Sequence, residues 1–256
     1  MHIGFSGSRL GRVTAIHCRR FRCTAGRWRN GQAFGVICNT LLVGVLGLPP
    51  SLASQRVHVV ECFTTATSGI SHLLHGNIDG RLFFRLLIPA IAGGLAGAYL
   101  LSSFDASVMK PFVLLYLSGI GIYLLIRGIL YPPTLKPARH IAPLGLIGGF
   151  LDAAGGGGWG PVVTSNLLIQ GADPRKVIGT VNSVEFFLTI AISAAFIWQI
   201  GLADLAGATL GLIIGGIFAA PFGAYAARHI PAKVMFILVG VILTITGLYG
   251  VWTSLA

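Results

Sequence analysis

Residues 141–170 read IAPLGLIGGFLDAAGGGGWGPVVTSNLLIQ, two apolar runs separated by the four consecutive glycines Gly155 to Gly158. The uninterrupted apolar parts, Ile141 to Leu151 and Trp159 to Ile169, have eleven residues each, which as a helix would span about 16 Å, roughly half of a ~30 Å hydrocarbon core. Glycine in a helix interior costs about 1 kcal/mol relative to alanine. A break of this kind is tolerated at membrane depth only where it lines a cavity or is covered by protein. The stretch therefore predicts two half-helices on either side of a glycine break, either as a broken helix or as a re-entrant hairpin.

The rest of the chain has the composition of a membrane protein. Hydrophobic residues make up 54% of the 256 residues and charged residues only 10%, whereas soluble domains carry about 25% charged residues. Residues 205–227 and 234–256 are uncharged over 23 residues each, enough to cross a bilayer as a helix. The runs are continuously apolar rather than alternating, which excludes the barrel pattern. We predict an all-α integral membrane protein, a polytopic bundle of about eight membrane segments.

The sequence repeats itself at a spacing of about 124 residues. Pro50 corresponds to Pro174, and Glu61 to Glu185, each pair 124 residues apart. Duplicated halves with matched intramembrane acids are typical of secondary transporters, whose site lies between the halves. We predict four regions: an atypical Arg-rich N-terminal segment (1–33), a first membrane repeat (34–126), a polar linker (127–140) and a second membrane repeat (141–256).

The net charge of +11 does not indicate a nucleic-acid partner. Seven of the 18 basic residues are arginines between Arg9 and Arg29, and from residue 34 onwards eleven basic residues face seven acidic ones. The basic residues of that part lie in short loops, as in membrane proteins. We expect the partners to be the lipid bilayer and a small anionic substrate, with no nucleic acid and no cofactor.

The placement of basic residues also predicts a topology. If residues 141–170 form a re-entrant hairpin, only Arg56 and Lys110 face one side of the membrane. The other side then carries nine basic residues, namely Arg81, Arg85, Arg127, Lys136, Arg139, Arg175, Lys176, Arg228 and Lys233. The positive-inside rule prefers this arrangement to the nearly even split of a straight crossing. The helices that carry Glu61 and Glu185 would then cross in opposite directions.

The glycine break is the first candidate site. The start of a half-helix exposes unpaired N–H groups, and its dipole favours an anion. Close packing between helices is the alternative role for the glycines, and interhelical hydrogen bonding is the alternative for nearby polar residues. The candidate substrate-binding residues are Gly155, Gly156, Gly157, Gly158, Pro161, Thr180, Asn182, Asn39 and Thr40.

Ionisable residues inside apolar helices are the second candidate. Such residues are costly in a membrane and usually face a cavity or a proton relay. His58 lies one helical turn before Glu61, and Asn182 one turn before Glu185. We assign gating or proton coupling to Glu61, Glu185, His58 and Asp152. Two alternatives stay open for the glutamates: a purely structural role, and for His58 with Glu61 a metal pair, although two ligands do not make a metal site.

The order and duplication of these motifs resemble the sulfite exporter TauE/SafE family of membrane permeases. The motifs are Gly148-Gly149-Phe150-Leu151-Asp152, the Gly155–Gly158 tract, Pro161 and Gly179-Thr180-Val181-Asn182-Ser183 in the second copy, and Asn39-Thr40, Pro49-Pro50 and Glu61 in the first. The resemblance covers residues 34–256. It implies a duplicated bundle with a glycine-rich break and a permease for sulfite, sulfonates or related sulfur-containing anions.

The segment before Phe34 departs from that pattern. By symmetry with residues 141–158 it should be a short apolar half-helix that ends in glycines, but it reads Arg27-Trp28-Arg29-Asn30-Gly31-Gln32-Ala33. We hypothesise that residues 1–33 come from a shifted or wrongly started reading frame, or that the first half-helix has been lost. Within this segment Cys18, Cys23 and His17 lack the second ligand pair of a metal site.

The sequence thus predicts a multi-pass permease of the cell (inner) membrane that exports small sulfur-containing anions such as sulfite or organosulfonates. Three alternatives remain. A cation or metal transporter would use His58 and Glu61. A non-transporting membrane assembly protein would leave the paired acids dispensable. An intramembrane enzyme would need a paired nucleophile and base or a metal cluster, which the sequence lacks, so we predict that the chain is not an enzyme.

Overall fold

The computed structural model describes residues 34–130, 140–170, 173–201 and 232–255, and these contain helices and no strand. A π-helical turn, Leu41–Val45, extends α1, and another, Gly160–Thr164, leads into α6. The predictions for residues 1–33, for the linker residues 131–139 and for the helix at 205–227 lie outside the described residues. The helices are α1 (Phe34–Thr40), α2 (Pro50–Leu74), α3 (Gly80–Ser103), α4 (Ala106–Ile129), α5 (Ile141–Gly155), α6 (Ser165–Ile169), α7 (Pro174–Ile200) and α8 (Ala232–Leu255).

Three of the described helices are long and apolar enough to cross a membrane. They are Gly80–Ser103, Ala106–Ile129 and Lys176–Ile200, with mean hydropathies of 1.6, 1.9 and 1.6. Gly35–Val45 and Ile141–Gly155 are apolar but shorter. The first half-helix was predicted to stop at Leu151, yet α5 continues to Gly155. The reason is that Asp152, Ala153 and Ala154 are compatible with a helix, and only Gly156 takes up the left-handed conformation that ends it.

Helices α2 and α7, which carry Glu61 and Glu185, are antiparallel. Near the start of α2, the Gln55 side chain donates to the Gly201 carbonyl after the end of α7 at 2.9 Å. At the other end, Lys176 Nζ at the start of α7 donates to the Gly76 carbonyl at 2.8 Å, just beyond the end of α2. The two helices therefore run in opposite directions, as the charge distribution predicts.

Glycines bring the remaining long helices into close contact. A Cβ atom on Gly93 of α3 would overlap the Leu146 carbonyl of α5, and one on Gly149 of α5 would overlap the Ala90 carbonyl of α3. Helices α4 and α8 approach each other in the same way at Gly121 and Gly240. Small residues let membrane helices pack backbone to backbone. Gly93 and Gly97 thus form a packing face of α3 for α5, while Gly94 packs against Leu188 and Ile192 of α7.

Candidate functional site

The glycine break separates α5 from a second short helix, residues 159–169, which comprises the turn Gly160–Thr164 and α6. Gly156 has a φ of +63° and Gly157 a φ of +134°, values that side chains other than glycine rarely adopt. The Gly157 N–H donates to the Asp152 carbonyl at 2.9 Å. The break is therefore a defined turn, held by the last turn of α5.

Asp152 connects both sides of the break to α2. Its carboxylate accepts a hydrogen bond from the Trp159 backbone N–H at 3.0 Å through Oδ1. Its other oxygen, Oδ2, lies 3.3 Å from Nε2 of His58. Asp152 is only 1% exposed, and His58 is fully buried. Burying an ionisable pair costs desolvation free energy even when the pair is hydrogen-bonded. Ionisable residues inside membrane helices usually have a function, so the pair is a candidate for the functional site.

The hydrogen bonds of His58 define where its proton lies. Nδ1 is 2.7 Å from the carbonyl oxygen of Ser54, and because a carbonyl can only accept, Nδ1 carries a hydrogen. Nε2 and the Asp152 carboxyl then share one proton, on either the imidazole or the acid. The Ser54 hydroxyl in turn donates to the Ala153 carbonyl at 2.7 Å. Helix α2 therefore holds the end of α5 through two side chains, those of Ser54 and His58.

The first short helix, residues 34–45, packs directly against the break. Asn39 Nδ2 donates to the Gly155 carbonyl. A Cβ atom on Gly156 would overlap the Asn39 amide, and one on Gly157 would overlap the backbone of Gly35 and Val36. Close packing, the alternative role for this tract, is therefore present. It coexists with the polar groups that converge on the same glycines.

Glu61 and Glu185, which the predicted repeat pairs with each other, lie in α2 and α7 and have different surroundings. Glu61 is 6% exposed; its Oε1 lies against Gly35, and its Oε2 has no hydrogen-bond partner within the part of the chain that is described. Glu185 is half-buried. Cys62, next to Glu61 in α2, contacts Ser193 of α7, with 3.6 Å between Sγ and Oγ. Ser193 lies eight residues after Glu185, which is about 12 Å along the helix at about 1.5 Å per residue. The two acids therefore do not face each other directly, although each is within electrostatic range of Asp152.

The other predicted binding residues make contacts away from the glycines. Thr180 accepts from the Asp79 N–H at 2.8 Å, and Asn182 Nδ2 donates to the Ser68 hydroxyl at 3.0 Å, both where α7 passes the end of α2. Thr40 donates to the Val36 carbonyl of its own helix. Pro161 is buried in the π-helical turn. The predicted set thus divides into a group at the break and a group at one end of the α2–α7 contact.

Two residues at the break were missed by the sequence analysis. Tyr116 of α4 lies with its ring against Gly155 and its hydroxyl against Gly158. Trp159 is fully buried, and its indole N–H donates to the Val181 carbonyl of α7 at 3.2 Å. Both stand in apolar runs, where an aromatic residue normally indicates core packing, so the sequence gives no signal for either.

A buried charged pair beside a break between two half-length helices, inside a bundle of apolar helices, defines a membrane transporter. The chain belongs to the sulfite exporter TauE/SafE family, whose profile matches residues 30–250.

Curated relatives agree with this class. The chain is 41% identical over 220 residues to the probable membrane transporter protein YtnM of Bacillus subtilis (strain 168), across 82% of this chain and 73% of YtnM. It is 22% identical over 180 residues to a probable membrane transporter protein of Haemophilus influenzae (strain ATCC 51907 / DSM 11121 / KW20 / Rd), across 66% of this chain and 71% of that protein. No solved structure matches the chain.

Proposed function

We propose that the protein is a multi-pass permease of the cell (inner) membrane that exports small sulfur-containing anions such as sulfite or organosulfonates. The single observation that carries the proposal is the buried His58–Asp152 pair at the glycine break. It places ionisable side chains deep inside the apolar bundle, where such residues usually mark a transport pathway. Membership of the family supports the substrate class, and transport rather than catalysis is the activity we assign.

The mechanism we propose opens the contact between the first short helix and the break. This contact consists of the backbone packing of Gly35 on Gly157 and the hydrogen bond from Asn39 to the Gly155 carbonyl, so separation must break that one side-chain hydrogen bond. Separation would expose backbone N–H groups of the break to an anion, in the manner of a helix N-terminus. Because Asp152 already accepts from the Trp159 N–H, the anion would bind beside that carboxylate. A proton on the His58–Asp152 pair would offset the repulsion between the anion and the carboxylate.

Pairs of helices that correspond in the predicted repeat pack together in opposite directions, which supports a transporter built from two inverted, homologous halves. Helices α2 and α7 correspond at the 124-residue spacing and pack against each other in opposite directions. Val108-Met109 in α4 recurs as Val234-Met235 in α8, and these two helices also pack together. Inverted halves with the site at their interface permit alternating access by rocking one half against the other.

Sulfite flux in proteoliposomes tests the proposal. We expect purified protein to carry radiolabelled sulfite faster than protein-free liposomes, and Glu185→Gln to lower the initial rate about tenfold because an amide cannot exchange the proton. Asp105→Asn is the matched control, since Asp105 is an exposed acid before α4, and its rate should equal that of the wild type.

Each other result points to a named alternative. Unchanged flux in Glu185→Gln would remove the coupling role of that acid. Flux of a divalent metal in place of sulfite, sulfonates and sulfate would favour the cation transporter. An absence of any flux would leave the non-transporting assembly role.

A further inference from the structure

Three side-chain oxygens at the glycine break are buried and have no hydrogen-bond partner among the described residues. They are Asn39 Oδ1, Glu61 Oε2 and the Tyr116 hydroxyl, and they belong to α1, α2 and α4 respectively. Asn39 is fully buried and Glu61 is only 6% exposed. Native structures rarely leave buried polar atoms unpaired, and each exception calls for an explanation. Three oxygens from three helices at one place indicate a site that a ligand completes.

Two of these side chains lie against the glycines themselves. A Cβ atom on Gly156 would overlap the Asn39 amide, and one on Gly158 would overlap the Tyr116 hydroxyl. The orientation of the amide is fixed, because Nδ2 donates to the Gly155 carbonyl and a carbonyl can only accept. Oδ1 is therefore the free atom, and it has no hydrogen to donate. The phenolic oxygen also carries lone pairs, so both atoms can face a positively charged ligand.

Glu61 brings a carboxylate to the same place. Its Oε1 lies against Gly35, which packs on Gly157 of the break. Asp152 is paired with His58, whereas Glu61 has no basic partner within the described part of the chain. Buried charged groups in proteins are normally paired or coordinate a metal ion. A cation beside Glu61 would supply that pairing.

The wider surroundings of the break are negative as well. The carboxyl groups of Asp152 and Glu185 both act electrostatically on Glu61. Helix α5 ends at the break, and the carbonyl groups at the C-terminal end of a helix carry a partial negative charge. In transporters with broken helices, such half-helix ends coordinate Na⁺ or protons. The acids and the helix end together favour a cation at these three oxygens.

The types of ligand atom restrict the cation. All three unpaired atoms are oxygens, which suit hard cations, whereas zinc favours nitrogen and sulfur. In the described ranges, no group of three or more His, Cys, Asp and Glu side chains could hold a metal ion. One carboxylate with two neutral oxygens balances a single positive charge, and a second charge would stay uncompensated in a low-dielectric interior. A monovalent cation therefore fits better than a divalent one.

We propose that the glycine break binds a monovalent alkali cation such as Na⁺ through Asn39 Oδ1, Glu61 Oε2 and the Tyr116 oxygen. The Glu61 carboxylate supplies the opposite charge, and the other two oxygens replace water molecules around the ion. The anion of the proposed function would use backbone N–H groups, so the two ions would bind different atoms. This inference goes beyond the proposed function, since the cation site needs no sulfur-containing anion to form.

Binding of radiolabelled Na⁺ to the full chain in nanodiscs tests the site, with choline as the replacement cation at constant ionic strength. We expect saturable binding that unlabelled Na⁺ displaces and choline does not. Glu61→Gln should weaken Na⁺ binding about tenfold or more, because a neutral amide replaces the carboxylate. Asp105→Asn is the matched control, since it makes the same change at an exposed position before α4, and it should leave the affinity unchanged.

A second pair of variants tests the neutral ligands. Tyr116→Phe removes one oxygen and should weaken Na⁺ binding about threefold, which corresponds to the loss of one polar contact. Tyr99→Phe is its control, since Tyr99 is 65% exposed on α3, and should not change the affinity.

Denaturant unfolding shows whether the variants fold and gives an independent measure of binding. Replacing choline by Na⁺ should raise the unfolding midpoint of the wild type, because a ligand that binds only the folded state stabilises it. The midpoint of a folded Glu61→Gln variant should not respond.

Three results would overturn the inference: no saturable Na⁺ binding to the wild type, equal affinities of the wild type and a folded Glu61→Gln variant, or binding of Ca²⁺ that Na⁺ does not displace. In the first case an ordered water molecule would be enough to satisfy the three oxygens. Sulfite flux is measured separately, so the proposed function would survive any of these results if flux were still observed.

Discussion

Replacing Asp152 by alanine is expected to lower the free energy of unfolding by about 3–5 kcal/mol, the usual cost of removing one partner of a buried charged pair. The change leaves His58 Nε2 without its partner and the Trp159 N–H without its acceptor. Of the two side-chain links between α2 and the end of α5, only the hydrogen bond from Ser54 to the Ala153 carbonyl remains. Denaturant unfolding of the detergent-solubilised protein, followed by tryptophan fluorescence, measures the loss, and we expect sulfite flux to be abolished with it.

Two further variants separate stability from function at this position. Asp152→Asn keeps an oxygen for the Trp159 N–H and an amide for His58 Nε2, so most of the stability should remain while the shared proton, and with it the flux, is lost. Asp105→Ala removes an exposed acid and should leave both properties unchanged. If Asp152→Ala unfolded at the same denaturant concentration as Asp105→Ala, the pair would not hold the break.

Gly157→Ala is expected to destabilise the protein by about 3 kcal/mol or more. The φ of Gly157 is +134°, a region almost reserved for glycine, which costs another residue about 1–3 kcal/mol. The new Cβ would also overlap the backbone of Gly35 and Val36, and overpacking costs typically about 1–3 kcal/mol. The overlap falls on backbone atoms, which cannot rotate away as a side chain can. Unfolding under the same conditions measures the effect.

Gly119→Ala is the matched control for that substitution. Gly119 lies within α4, and a Cβ there would meet nothing within 4 Å. Alanine at this position should be neutral or should stabilise the helix by up to about 1 kcal/mol. Equal stability of the two variants would show that the first short helix does not pack on the break as described.

The glycine break could be predicted from the sequence because its causes are local. Two short apolar runs around Gly155–Gly158 are too short to cross a membrane, and charge placement gives the opposite directions of α2 and α7. The end of α5 was misplaced, since the choice of which glycine takes a positive φ depends on contacts with Asn39 and Val36. Those contacts join residues more than a hundred positions apart.

The site was less predictable than the fold. His58, Glu61 and Asp152 stood out as charges in apolar runs, but nothing in the sequence pairs His58 with Asp152, 94 residues later. Tyr116 gave no signal, because its unpaired hydroxyl appears only once α4 is packed against the break. The predicted repeat gave Glu61 and Glu185 the same role, but in the structure only Glu61 is buried, and it packs against Gly35.

We propose that this chain carries sulfur-containing anions through the break with the help of the buried His58–Asp152 pair. The most direct measurement follows sulfite leaving liposomes that contain the wild-type protein and a trapped pH indicator, at mildly alkaline pH. We expect sulfite to leave faster than from protein-free liposomes and protons to move with it. Loss of sulfite at the protein-free rate would show that the chain does not carry this anion.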